Sequence, residues 1–223
     1  MNQLYIIPIL LFSIIVHEIA HGAVALRLGD TTARDAGRLT FNPFPHIDLF
    51  GSILVPLLAF LAKIPVFIAW AKPVPINPQN FRSPRRDNVF VSLAGPFSNF
   101  VVALFCVLGY CCFNIIFTSV APEDGSVTAS LFMFMLQMFS VGITINIFLA
   151  VFNLIPIPPL DGSHVLSALL PEKLGYKFEQ LGFLGIFVVL FVINIPIAQQ
   201  ALVSIVRWIS VPYVLLMHLL SVA

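Results

Sequence analysis

LYIIPILLFSIIVHEIAHGAVALRL, residues Leu4 to Leu28, decides how this chain is read. Its 25 residues are enough to span a bilayer as a helix. Its middle nevertheless carries His17-Glu18-Ile19-Ala20-His21. A charged residue at a helix centre costs on the order of 2.5 to 3.5 kcal/mol by insertion scales, so two imidazoles and a carboxylate at membrane depth need compensation. A shared metal ion provides it.

Residues four apart lie on one face of a helix, so His17 and His21 can offer two nitrogens to one ion. Glu18 sits beside that face, placed to take a proton from the attacking water without occupying a ligand position, the role this H-E-x-x-H spacing gives its glutamate. From the chain's histidine and glutamate content the pattern arises by accident in roughly one such chain in five hundred.

Composition points to a membrane independently. Hydrophobic residues make up 59% of the 223 residues and charged residues 9%, with a mean hydropathy of +1.01, against roughly 25% charged in a soluble domain. A net charge of +1 speaks against a nucleic-acid partner. A signal peptide is the rival reading of Leu4 to Leu28, and Ala23-Val24-Ala25 resembles a cleavage site, but no basic region precedes it. Cys106, Cys111 and Cys112 share one apolar segment and read as small buried hydrophobes.

Further apolar runs cover Leu49 to Ala71, Val89 to Val120, Ala129 to Ile155, Leu181 to Ala198 and Ala201 to Val222. The connectors are too short for a separate soluble domain, so residues 1–223 read as a single integral membrane domain. Arginines and lysines follow the first, second and fourth runs, whereas the connector at Pro122 to Thr128 carries Glu123 and Asp124 without a base. Positive-inside bias places the basic connectors in the cytoplasm and the acidic one outside. Leu49 to Ala71 then enters and leaves on one face, a re-entrant hairpin that Pro56, Lys63 and Pro65 make plausible; an ordinary kinked span is the alternative. The expectation is an all-α polytopic protein of about five transmembrane helices plus that hairpin and a short β segment near the active site.

A catalytic zinc usually takes three protein ligands, and His17 and His21 supply two. Asp161, His164, His46, Asp48 and His218 are candidates for the third. Asp161 ends Asn153-Leu154-Ile155-Pro156-Ile157-Pro158-Pro159-Leu160-Asp161-Gly162, where prolines stop a helix and Asp-Gly suggests a tight turn; alone, this is a loop signal. His46 and Asp48 could form a second metal pair but lie in a proline-rich loop. His164 could compete with Asp161, His218 reads as interfacial, and Arg207 with Trp208 as an interfacial anchor.

With both motifs in view, the chain resembles the site-2 protease family of intramembrane zinc metalloproteases. His17 to His21 matches its first motif, and Asn153 to Gly162 its N-x-x-P-x-P-x-x-D-G motif. Gly95-Pro96-Phe97-Ser98-Asn99 and Gly37-Arg38-Leu39-Thr40-Phe41-Asn42-Pro43 look like further family segments. The resemblance implies one zinc per chain held by His17, His21 and Asp161, with Glu18 as base and Asn153 positioning the substrate or the oxyanion. A helix-end cap is the other role open to Asn153. It implies hydrolysis of a peptide bond inside a transmembrane helix of another protein, within a multi-pass membrane protein, expected in the cell membrane. The chain looks like a compact member without a PDZ insertion, which leaves regulation to a partner protein or to prior trimming of the substrate.

Such a substrate helix must unwind before it is cut, and its freed backbone groups need partners. Gly37 to Phe41 reads either as an edge strand for that purpose or as a plain surface hairpin. The competing functional class is a non-proteolytic membrane protein, either a metal transporter or a catalytically silent relative. A transporter should carry polar groups along several helices through both leaflets, whereas here they gather at one depth.

Overall fold

A computed structural model of the chain describes residues 4–54, 61 and 71–222. Among the described residues eight α-helices follow in chain order: α1 Ile6–Arg27, α2 Thr32–Asp35, α3 Pro84–Val120, α4 Val127–Asn153, α5 Asp161–Leu169, α6 Glu172–Glu179, α7 Gly185–Ile193 and α8 Pro196–Val222. Short 3-10 turns lie at Phe44–His46, Pro78–Asn80 and Gly182–Leu184, and a π-helical stretch at Leu49–Leu54. The architecture is all-α and polytopic. Among the described residues, four helices, α1, α3, α4 and α8, are long and apolar enough to cross a membrane.

Among the described residues, Leu181 to Ala198 is the expected span that does not form one long helix. Leu181 to Ala198 breaks at Gly182, whose φ is +41°, and again before Pro196. What remains is the nine-residue α7, about 14 Å long at 1.5 Å per residue, against about 30 Å of hydrocarbon.

Helix ends follow from local sequence. α1 stops in a Schellman arrangement: Gly29 has φ +110°, its N–H bonds to Leu26 O at 3.2 Å, and the Asp30 N–H bonds to Ala25 O at 3.0 Å. α3 opens with Pro84 at its first position, and the Asp87 carboxylate accepts the Ser83 N–H at 2.9 Å. The Ser126 hydroxyl caps α4 by accepting the Ala129 N–H at 3.1 Å.

α3 is the central post. Ile9 of α1, Val102, Cys106 and Val107 of α3, Ile143 and Ile147 of α4 and Val206 of α8 form the main core. Small residues let these helices approach: a Cβ on Gly142 would lie 2.7 Å from Cys106 Sγ and 2.8 Å from Ile9 Cγ1. The outward face of α3 shows Phe97, Leu104, Phe105 and Leu108, which suits lipid rather than water as the surrounding solvent.

The chain leaves α1 and returns to α3 at the same end of the bundle. Asp30, fully buried, accepts hydrogen bonds from the Thr32 N–H and hydroxyl, the Asn77 N–H and Asn80 Nδ2. Burial pushes its carboxyl upwards, but these hydrogen bonds outweigh that and hold it below the ordinary carboxylate range. Arg38 donates to the carbonyls of Lys72 and Pro73, and the Lys72 N–H bonds to His46 O at 2.9 Å. The re-entrant hairpin expected over Leu49 to Ala71 lies outside the described residues except at 49–54, 61 and 71.

Gly37 to Phe41 forms turns and bends, and no strand occurs among the described residues. The reason is local. The Gly37 and Arg38 N–H groups turn back onto Arg34 O and Ala33 O, and Thr40 O accepts from His46 Nε2, so these three backbone groups are already engaged locally.

Candidate metal centre

α1 and α3 run antiparallel, and each histidine meets α3 at a different residue. His17 Nδ1 lies 2.6 Å from Asn99 Oδ1, and His21 Nδ1 lies 2.7 Å from Val91 O. Val91, Gly95 and Asn99 recur every four residues along α3 and so share one face. That face presents a carbonyl, a gap and an amide to the two rings. Pro96 follows on the same helix and has no N–H to donate to the Ser92 carbonyl one turn earlier.

The third group arrives from α5. Asp161 is its first residue, and Asp161 Oδ2 lies 3.1 Å from His17 Nε2 and 3.4 Å from His21 Nε2. The two Nε2 atoms are 3.0 Å apart. Gly162, read from sequence as part of a tight turn, serves a different need: a Cβ there would strike Leu154 O, so glycine lets the first turn of α5 lie against the end of α4. Arg85 fixes the other end of α5, donating to the carbonyls of Ala168, at 2.8 Å, and Leu170.

The donor set fits a metal. Val91 O can only accept, so His21 Nδ1 carries the proton and its Nε2 presents a lone pair. With His17 oriented the same way, two lone pairs and a carboxylate oxygen converge, an arrangement a cation resolves. Tetrahedral bonds of about 2.0 to 2.1 Å imply donor separations of about 3.3 Å, close to the 3.0 to 3.4 Å found here. Glycine at 95 keeps both rings close against α3, since a Cβ there would lie 2.6 Å from His17 Nε2 and closer still to His21 Nε2. Among the described residues, His17, His21 and Asp161 form the group of three such side chains close enough to hold one metal ion.

The profile of peptidase family M50 matches residues 5–193. This chain belongs to peptidase family M50. The M50 chain is also 38% identical over 191 residues to "Putative zinc metalloprotease YwhC" of Bacillus subtilis (strain 168), an alignment covering 84% of the chain and 80% of that relative. No solved structure matches it. The family and the four apolar helices make this a membrane zinc protease.

The other sequence candidates fall elsewhere. Glu18 stands beside the triad on α1 and its Oε2 accepts the Val74 N–H at 2.7 Å. Asn153 ends α4 and donates to Leu149 O at 3.0 Å, a bond back along its own helix. His164 Nδ1 lies 3.3 Å from Glu179 Oε1 and 3.5 Å from Asn88 Nδ2. His46 Nε2 bonds to Thr40 O at 2.9 Å, Asp48 accepts the Gly51 N–H at 2.6 Å, and His218 is exposed near the end of α8. Asn99, Val91 and Gly95 are the contributors that motif reading undervalued.

Proposed function

We propose that this M50 peptidase hydrolyses a peptide bond within a transmembrane helix of a membrane-protein substrate, with one zinc held by His17, His21 and Asp161. The observation that carries the reading is the depth of the triad. His17 lies 11 residues from Ile6 and 10 from Arg27 in a helix able to span the bilayer, about 16 and 15 Å from its two ends. A peptide bond that meets these residues has to come to the middle of α1.

What such a metal supplies when bound is Lewis acidity towards water and towards a peptide carbonyl. The chain supplies the rest. His17 and His21 stay in register because α3 grips both rings through Nδ1. Glu18 takes the proton of the attacking water and returns it to the departing amine. The Val74 N–H meanwhile steadies its carboxylate at the edge of the site. Asn153, next to the loop that brings Asp161 in, positions the opened substrate backbone.

The substrate helix must unwind first, and helix-breaking residues lower that cost, by about 1 kcal/mol for Gly and about 3 for Pro relative to Ala. The test is cleavage in proteoliposomes of a Leu-rich transmembrane substrate and of one with a Gly-Pro pair near one end. The intact enzyme should cut the second faster, and Glu18→Gln should cut neither while keeping its zinc. Cleavage confined to soluble peptides would overturn the intramembrane reading, and zinc flux without cleavage would favour a transporter.

A further inference from the structure

Two asparagines to which the sequence reading assigned no chemical role are buried completely inside the helix bundle, Asn99 on α3 and Asn146 on α4. They join His17 to the backbone of α4. His17 Nδ1 meets Asn99 Oδ1 at 2.6 Å, Asn99 Nδ2 donates to Asn146 Oδ1 at 3.0 Å, and Asn146 Nδ2 donates to Gly142 O at 2.8 Å. Asn99 Nδ2 also reaches Ser13 O at 3.4 Å.

The far end sets the direction of the whole series. Gly142 O is a backbone carbonyl and can only accept, so Asn146 must turn its NH₂ towards it and its oxygen towards Asn99. Asn99 must then offer its NH₂ to Asn146, which leaves its oxygen facing His17. An oxygen there requires the proton of the ring on Nδ1, and Nε2 keeps its lone pair. Were Asn99 to turn over, its NH₂ would face Nδ1 and the proton would move to Nε2, where it blocks a metal.

His21 needs no such chain, because the carbonyl of Val91 meets its Nδ1 directly. The two ligands are thus oriented by different means, one by rigid backbone and one by two side chains that a mutation can remove. We propose that Asn146 is a positioning residue that acts through Asn99 to hold His17 in the tautomer able to bind zinc. This rests on the zinc-protease reading of the triad. Asn146 touches neither His17 nor the ion, and its influence passes through one amide.

The test is zinc affinity, measured by chelator competition on the full chain in detergent, together with the visible spectrum of the cobalt-substituted protein. Asn99→Leu should weaken zinc binding by about 10 to 100-fold and Asn146→Leu by about tenfold, with a changed cobalt spectrum, as removal of outer partners of metal-binding histidines generally does. Asn99→Leu/Asn146→Leu should bind no more weakly than Asn99→Leu alone, since the series is already cut. Asn146→Ser provides a second, smaller variant should leucine not be accommodated. Cys106→Ala, which opens space beside Gly142 in the same core, should leave affinity and spectrum unchanged. Wild-type affinity in both Asn146 variants, or losses that simply add in the double variant, would overturn the relay. A wild-type protein that holds no zinc would instead overturn the reading on which it rests.

Discussion

Gly95→Ala adds one methyl group against the Nε2 atoms of both histidines. The new Cβ would stand 2.6 Å from His17 Nε2 and nearer still to His21 Nε2. Ordinary carbon contacts begin at about 3.5 Å, so His17 must retreat by about 0.9 Å. Metal sites tolerate about 0.2 Å in ligand distance. Neither ring can retreat cheaply, because each Nδ1 is already bonded to α3. Overpacking itself costs about 1 to 3 kcal/mol, which leaves a folded bundle with its metal site closed. The expected outcome is a loss of zinc affinity of at least about 100-fold, read as metal per chain by elemental analysis after dialysis against a weak chelator. Gly109→Ala on the same helix is the matched control: its Cβ would press on the Phe139 ring at 2.7 Å, lowering stability while leaving zinc in place. A Gly95→Ala protein with full zinc occupancy would refute the position assigned to the ion.

Asp161→Ala should lose most of its zinc, whereas His164→Ala, which removes a side chain paired with Glu179, should keep it; the reverse pattern by metal analysis would reassign the third ligand. Asp30 gives a prediction in pH. Its carboxyl is held below its unfolded value, so the stability it contributes is fully present above about pH 3.9 and is lost as pH falls through the lower folded value. Hydrogen exchange should therefore show the Thr32 and Asn77 amides protected down to about pH 4 and deprotected below it, and protection that instead fell on the alkaline side would contradict the sign.

Much of the candidate metal centre was legible because its signals are short-range. A separation of four on one helix is enough to pair His17 with His21, and the proline-rich run before Asp161 marks the place where a carboxylate leaves a helix. The partners of the histidines were harder to find. Gly95 and Asn99 stood out only as part of a family-like segment, and their purpose depends on α3 lying antiparallel to α1, which no local pattern specifies. Asn146 is a lone polar residue in an apolar run, and only contact with Asn99 gives it meaning. Arg85 was counted as a topology charge, although its guanidinium serves the last carbonyls around α5. Hydropathy overcounted at Leu181 to Ala198 because it measures greasiness but not continuity, and Gly182 and Pro196 interrupt the helix. At Gly37 to Phe41 the edge-strand reading gave way to turns and bends, because the Gly37 and Arg38 N–H groups bond back to the preceding turn.

The three side chains of the candidate metal centre come from positions 17, 21 and 161, so they leave the ribosome far apart in time. Once α3 has been inserted against α1, both imidazoles are already gripped at Nδ1 and aimed at a common point, yet the chain is still a harmless two-nitrogen platform. Asp161 is made later, after a further membrane crossing by α4, and reaches the platform only when α5 docks on α3 under Arg85. A partly made chain therefore lacks the third donor, and the hydrolysis proposed above has to wait until Asp161 is in place, while α8, which adds Val206 to the main core, is still to come.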